Sequence, residues 1–214
     1  MSIQRFAPEF EQETVTAGCS HRHDVCRNLI SAAVLTLGLG GGVSTPAATP
    51  EPLVLESKIR LGDVRGRIDH LTIDVARNRL YVAELGNDSV GVVDLKERQV
   101  LRTLTGFREP QGIGYVAATD TVYVANGGDG TVRVLQGPDL TPAGSIDLGD
   151  DADNVRVERR SNHIWVGYGS GALAVINAMS LQKIASISLK AHPESFQIDA
   201  SGQHIFVNVP GAHE

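Results

Sequence analysis

Thiols are almost missing from this 214-residue chain. Its two cysteines, Cys19 and Cys26, both lie in the first thirty residues. A disulfide framework and thiol chemistry are therefore excluded from the body of the protein, whose stability must come from packing. Basic clusters are missing too: Lys and Arg number 19 against 25 Asp and Glu, and no group of them could neutralise a run of phosphates. Nucleic acid is thus not an expected partner. Long hydrophobic runs are also lacking. The longest apolar stretch, residues 29–39 "LISAAVLTLGL" after Arg27, would span only about 16 Å as a helix, against roughly 30 Å of bilayer core, so no transmembrane helix is expected.

Residues 1–50 differ in character from the remainder of the chain. Arg27, the apolar stretch, "GGGV" and the Thr/Pro/Ala-rich "STPAATPEP" read as a secretory signal cleaved near Ala47 and a linker, so residues 1–50 are assigned as leader and the protein as periplasmic or secreted. A buried helix is the alternative, although no polar face accompanies the run. The acidic segment ahead of it leaves the start site and the cleavage position open. That segment contains "CSHRHDVC", in which Cys19, His21, His23 and Cys26 are soft metal ligands in type, but they lie upstream of the cleavage point and have no second ligand cluster. The glycine run "GLGGGV" has no flanking strand and helix, which excludes a phosphate loop.

Beyond residue 50 the chain repeats. "LYVAELGNDSVGVVDL" at 80–95 returns at 122–137 as "VYVANGGDGTVRVLQG", then as "HIWVGYGSGALAVIN" and "HIFVNV", so that Tyr81, Tyr123, Trp165 and Phe206 mark steps of 42, 42 and 41 residues. The segments "RIDHLTID", "EPQGIGYV", "DADNVRVE" and "HPESFQID" repeat ahead of them. Each unit divides into four strands, near 69–75, 79–84, 89–94 and 99–105 in the first copy, separated by Gly/Asn/Asp turns. The second strand is apolar on both alternating faces, Leu80 and Val82 on one and Tyr81 and Ala83 on the other, and must be covered twice. Four-stranded sheets at this period solve the problem by stacking around an axis. The predicted fold is therefore all-β, a propeller over 51–214 with blades near 67–106, 109–148 and 151–190 and two strands of a fourth, about three and a half blades. "LVLESKIRLG" reads as a lone outer strand. So short an arc leaves apolar faces and strand edges in water, which predicts a fragment of a longer product or, failing that, self-association.

Tyr81-Val82-Ala83-Glu84 and Tyr123-Val124-Ala125-Asn126, with the more divergent Trp165-Val166-Gly167-Tyr168 and Phe206-Val207-Asn208-Val209, resemble the YVTN-type β-propeller repeat of the YncE-like proteins. The resemblance covers about residue 53 to the end. It implies a propeller and export, and it implies shape far more firmly than chemistry.

In such a fold the loops entering the innermost strands form a ring at one mouth of the channel. The aligned positions are Asp69, Gln111, Asp153 and Glu194, followed by His70, Gly112, Asn154 and Ser195, with Glu109, Asp151 and His192 nearby. Asp69, His70, Glu109, Gln111, Asp153, Asn154, His192 and Glu194 are the candidate ligand-binding residues. Asp69, Asp153, Asn154 and Glu194 could hold an oxygen-loving divalent cation such as Ca²⁺ or Mg²⁺. The same residues could instead satisfy backbone groups in tight turns. No nucleophile set accompanies them. Three functions are expected, in order: a non-catalytic exported scaffold binding a small molecule, peptide or protein at the mouth, a metal-assisted lactonase-like hydrolase, and a structural cell-envelope repeat protein.

Overall fold

The structure, a computed structural model, describes residues 2–7 and 53–213. The signal and linker assigned to 1–50, apart from 2–7, and the Cys19/Cys26 cluster lie outside them. Contacts gather the described residues 58–213, and with them all the repeats, into one compact unit. Among the described residues no helix is long and apolar enough to cross a membrane.

Sixteen strands are described. The first two, β1 (Ser2–Ala7) and β2 (Val54–Arg60), form a two-stranded sheet. Three four-stranded antiparallel sheets come next. Blade 1 comprises β3 (Leu71–Asp74), β4 (Arg79–Glu84), β5 (Ser89–Asp94) and β6 (Gln99–Thr105). Blade 2 comprises β7 (Pro110–Val116), β8 (Thr121–Asn126), β9 (Thr131–Gln136) and β10 (Thr141–Asp147). Blade 3 comprises β11 (Val155–Glu158), β12 (His163–Tyr168), β13 (Ala172–Asn177) and β14 (Gln182–Ser188). Then β15 (Ser195–Ile198) and β16 (Ile205–Asn208) pair alone. The fold is an incomplete all-β propeller whose first strands, β3, β7, β11 and β15, are successive neighbours.

The segment read from sequence as a lone strand is not alone, since β2 pairs with β1. Edge pairing is made by backbone groups, which leave no side-chain signature to read.

Repetition extends to the backbone. The turn between first and second strands places Asn78, Asp120 and Asn162 at φ of 52°, 50° and 56°, a left-handed conformation that Asn and Asp tolerate. Their carbonyls accept from Leu95, Gly137 and Ala178 N–H at 2.8, 2.8 and 3.1 Å. Each fourth strand carries a register irregularity at the same place, beside Val92/Val93, Pro142/Gly144 and Val175/Ile176, so the outer edge of every blade bends alike.

Side chains on the two faces of a blade pack against different neighbours. Tyr81, Ala83, Val90 and Val92 of blade 1 meet Ile113, Val122 and Val124 of blade 2, while Tyr123, Ala125, Val132 and Val134 meet Val155, Ile164 and Val166 of blade 3. The Tyr123 hydroxyl donates to Ala178 O at 3.1 Å, tying blade 2 to blade 3. Arg77 clamps Asp120 through Nη1 and Nη2, both at 2.6 Å, and also donates to buried Asp74 at 2.7 Å, tying blade 1 to blade 2. On the other face of blade 1, Leu80, Val82 and Val93 are covered by Ile59 and Leu61.

The aromatic series shows what a missing neighbour does. Tyr81, Tyr123, Trp165 and Phe206 occupy one register position, opposite Thr72, Gly114, Arg156 and Gln197. Tyr81 and Tyr123 are 1% and 0% exposed, Trp165 is half-buried and Phe206 is 68% exposed. Tyr123→Ala should therefore cost about 3–5 kcal/mol and Phe206→Ala no more than about 0.5 kcal/mol. Urea titration of both variants checks this, and equal losses would contradict the interblade packing.

Candidate functional site

The loop entering each first strand is held by its own second strand. Asp69 N–H donates to Ala83 O at 3.0 Å, and Ala83 N–H returns to His70 O at 2.9 Å. In blade 3, Asp153 N–H donates to Gly167 O at 2.9 Å, and Gly167 N–H returns to Asn154 O at 3.0 Å. Equivalent backbones thus place Asp69 and Asp153 at equivalent positions two blades apart. Between them sits Gly112, where a Cβ would lie 2.1 Å from Asp153 O. Only glycine lets the third blade's entry loop come this close to the second.

The result is a connected polar mouth. Arg67 Nη2 donates to Asp69 Oδ2 at 2.7 Å and to Gln111 Oε1 at 3.3 Å, and Gln111 Nε2 reaches Asp151 Oδ1 at 3.4 Å. His192 Nδ1 lies 2.7 Å from Gly169 O. A carbonyl can only accept, so that nitrogen carries a proton. Its Nε2 lies 3.6 Å from Asp153 Oδ2. His70 N–H donates to Gln111 O at 3.2 Å across the blade junction. His70 Nδ1 stands 3.0 Å from Asp69 Oδ1, at ion-pair distance but off the line of a hydrogen bond. One oxygen or nitrogen from each of Asp69, His70 and Asp153 lies within 4.8 Å of the others.

Charges in the mouth perturb one another. The His70 contact, reinforced by Arg67, holds the Asp69 carboxyl below its ordinary range against the opposing effect of burial. The same contact raises the His70 imidazole. Burial raises the Asp153 carboxyl, with His70 and His192 opposing. For His192 burial acts against the charge, but the Gly169 carbonyl and the Asp151 and Asp153 carboxylates outweigh it.

Asn154 donates through Nδ2 to Asp153 Oδ2 at 3.2 Å and to Glu194 O at 2.5 Å. Glu194 joins the ring through its backbone, and its exposed carboxylate is not in the Asp69/His70/Asp153 group. Glu109 is exposed; its N–H donates to Asp88 Oδ1 at 2.7 Å and its carbonyl accepts from Gly127. Arg67 and Arg156 were not among the residues read from sequence. Arg156 Nε donates to Phe196 O at 3.0 Å, its guanidinium carbon stands 5.5 Å from the Phe196 ring centre, and burial lowers its pKa while Asp153 supports its charge. The available signal was a charge in a first strand where the aligned residues, Thr72, Gly114 and Gln197, are neutral.

A cavity of about 570 Å³ lies elsewhere, at the opposite ends of the first strands among Ile73, Val75, Tyr115, Val157 and Arg159. Its Tyr115 hydroxyl is already engaged with Asp120 at 3.0 Å. Convergent, buried and electrostatically perturbed groups mark the mouth as the stronger candidate.

Among solved structures the chain is similar to one titled Kuenenia stuttgartiensis Hydrazine Synthase, with 19% identity and a TM-score of 0.58 over 62% of this chain and 39% of that one. The likeness supports the fold alone, and the chain spans well under half of that neighbour. No family profile and no curated protein matches the chain.

In metal-free buffer, the Asp69/His70 pair should stabilise the fold between the ordinary Asp and His values, about pH 4 to 6.5. A raised imidazole loses its contribution as pH climbs through its folded pKa, and a lowered carboxyl as pH falls through its own. The NMR titration of His70 should lie above 6.5 and fall in Asp69→Asn; an unchanged midpoint would contradict the pairing.

Proposed function

We propose that this protein is an exported propeller of the YVTN type that binds a small, donor-bearing or cationic molecule at the mouth formed by its first-strand entry loops, without catalysis. Support for export and for the family comes from the 1–50 leader pattern and the repeat motifs. The observation that carries the ligand class is a pair of orphan acceptors. Asp153 Oδ1 and Asn154 Oδ1 are buried with no hydrogen-bond partner, in residues 6% and 0% exposed. A buried carboxylate oxygen without a donor costs about 1–3 kcal/mol or more, and a ligand N–H or a cation placed there recovers it. Asp69 and Asp151 add negative charge around the same spot, while Arg67 and Arg156 are already engaged by protein acceptors.

The lactonase-like alternative needs a bound ion to polarise a carbonyl or activate water. It has support from the grouping of Asp69, His70 and Asp153, whereas the all-oxygen set with Glu194 is not assembled by side chains. A structural envelope role gives no reason for buried orphan acceptors.

A melting-temperature panel of small amines, guanidinium compounds and carboxylates tests the proposal. A ligand at a hundred times its Kd stabilises by about 2.7 kcal/mol, which for a unit of this size is a rise of about 5–10 °C. Amines should raise the melting temperature and carboxylates should not. Asp153→Ala should abolish the rise while leaving the unliganded protein folded, because it removes the partnerless Oδ1 that the ligand would engage. A rise that survives Asp153→Ala, or no rise with any cationic compound, would overturn this reading.

A further inference from the structure

We infer that the mouth holds a first-row divalent metal ion, Zn²⁺ or Mn²⁺ in class, on Asp69, His70 and Asp153, an inference that rests on reading the mouth as a ligand site. Each carboxylate has one oxygen held and one to offer. Asp69 Oδ2 is fixed by Arg67 at 2.7 Å while Oδ1 faces His70. Asp153 Oδ2 accepts from Asn154 at 3.2 Å while Oδ1 is buried without a partner. Holding one oxygen by a neighbouring donor fixes the direction of the other, which is how outer partners orient metal ligands.

Separations fit as well. Two donors bound at about 2.1 Å and at right angles around an ion stand about 3.0 Å apart, and His70 Nδ1 and Asp69 Oδ1 are 3.0 Å apart. Asp153 completes the group within 4.8 Å, somewhat beyond the roughly 4.2 Å available to donors on opposite sides of such an ion, so a modest side-chain rotation closes it. His70 Nδ1 is itself buried with no aligned hydrogen-bond partner. An imidazole among two carboxylates moves the preference from Ca²⁺ and Mg²⁺ toward borderline cations, and three protein donors leave an ion with right-angle geometry further positions for water or ligand.

Calorimetric titration of the chelator-stripped full chain with ZnCl₂, MnCl₂ and CaCl₂, each alone, tests the inference. One equivalent of Zn²⁺ or Mn²⁺ should bind at least tenfold more tightly than Ca²⁺. His70→Gln and Asp153→Asn should each weaken that binding at least tenfold, and Glu194→Gln should leave it unchanged. Cys19→Ser/Cys26→Ser should also leave it unchanged, which separates the mouth from the cysteine and histidine residues of the leader. Should a mouth variant fail to fold by circular dichroism, Mn²⁺ broadening of amide signals in the unmodified protein gives the location, expected at residues 69, 70 and 153. Absence of binding, tighter Ca²⁺ binding, persistence in both mouth variants, loss in the cysteine variant, or broadening elsewhere would overturn it. Amine binding at the mouth without metal binding would end this inference and leave the ligand-site reading standing.

Discussion

A sheet that is apolar on both faces cannot stand in water by itself, and everything else in this molecule depends on that constraint. Leu80 and Val82 look one way from β4 and Tyr81 and Ala83 the other, and both sets are buried because something covers each side. Buried apolar area contributes about 25 cal/mol per Å², so the faces between blades dominate the cohesion of the fold. Where cover runs out, exposure rises at once. Leu71 and Ile73 on the leading face of blade 1 are 51% and 46% exposed, as Phe206 is at the trailing end.

Stacking of this kind also makes the mouth. First strands of successive blades are neighbours, so the loops entering them must converge, and the second strand of each blade fixes the depth at which they do so. Glycine at 112 brings the Asp153 loop against the middle blade. Asp69 and Asp153, distant in sequence, then share one electrostatic environment with His70: the mutual contact of Asp69 and His70 shifts that pair, while burial raises Asp153 against the opposing charge of His70. Asp69 and His70 are sequence neighbours, and blade geometry is what brings Asp153 to them.

That explains what could be read from the chain alone. Period, strand order and the two-sided burial of Tyr81 and Tyr123 are written in side-chain alternation, and the structure repeats them down to the left-handed Asn78, Asp120 and Asn162. The ring positions were legible as aligned residues, and Asp69, Gln111, Asp153 and Asn154 do meet around one mouth. Which way each side chain turns was not legible. Glu194 aligns with Asp153, yet it contributes a carbonyl, because the Asn154 amide takes that oxygen and the carboxylate stays in solvent. Arg67 lies two residues ahead of the ring position and enters by the reach of its side chain, which alignment does not record. The pairing of β2 with β1 joins backbone edges, which side-chain alternation does not record.

Native-state hydrogen exchange tests the dependence of each blade on its neighbours most directly. Ladder amides of β4 and β8, covered on both sides, should exchange only through global unfolding, and those of β15 and β16 at least a hundredfold faster. Equal protection across all four sets would show that each sheet is stable without its neighbour, and would contradict the account.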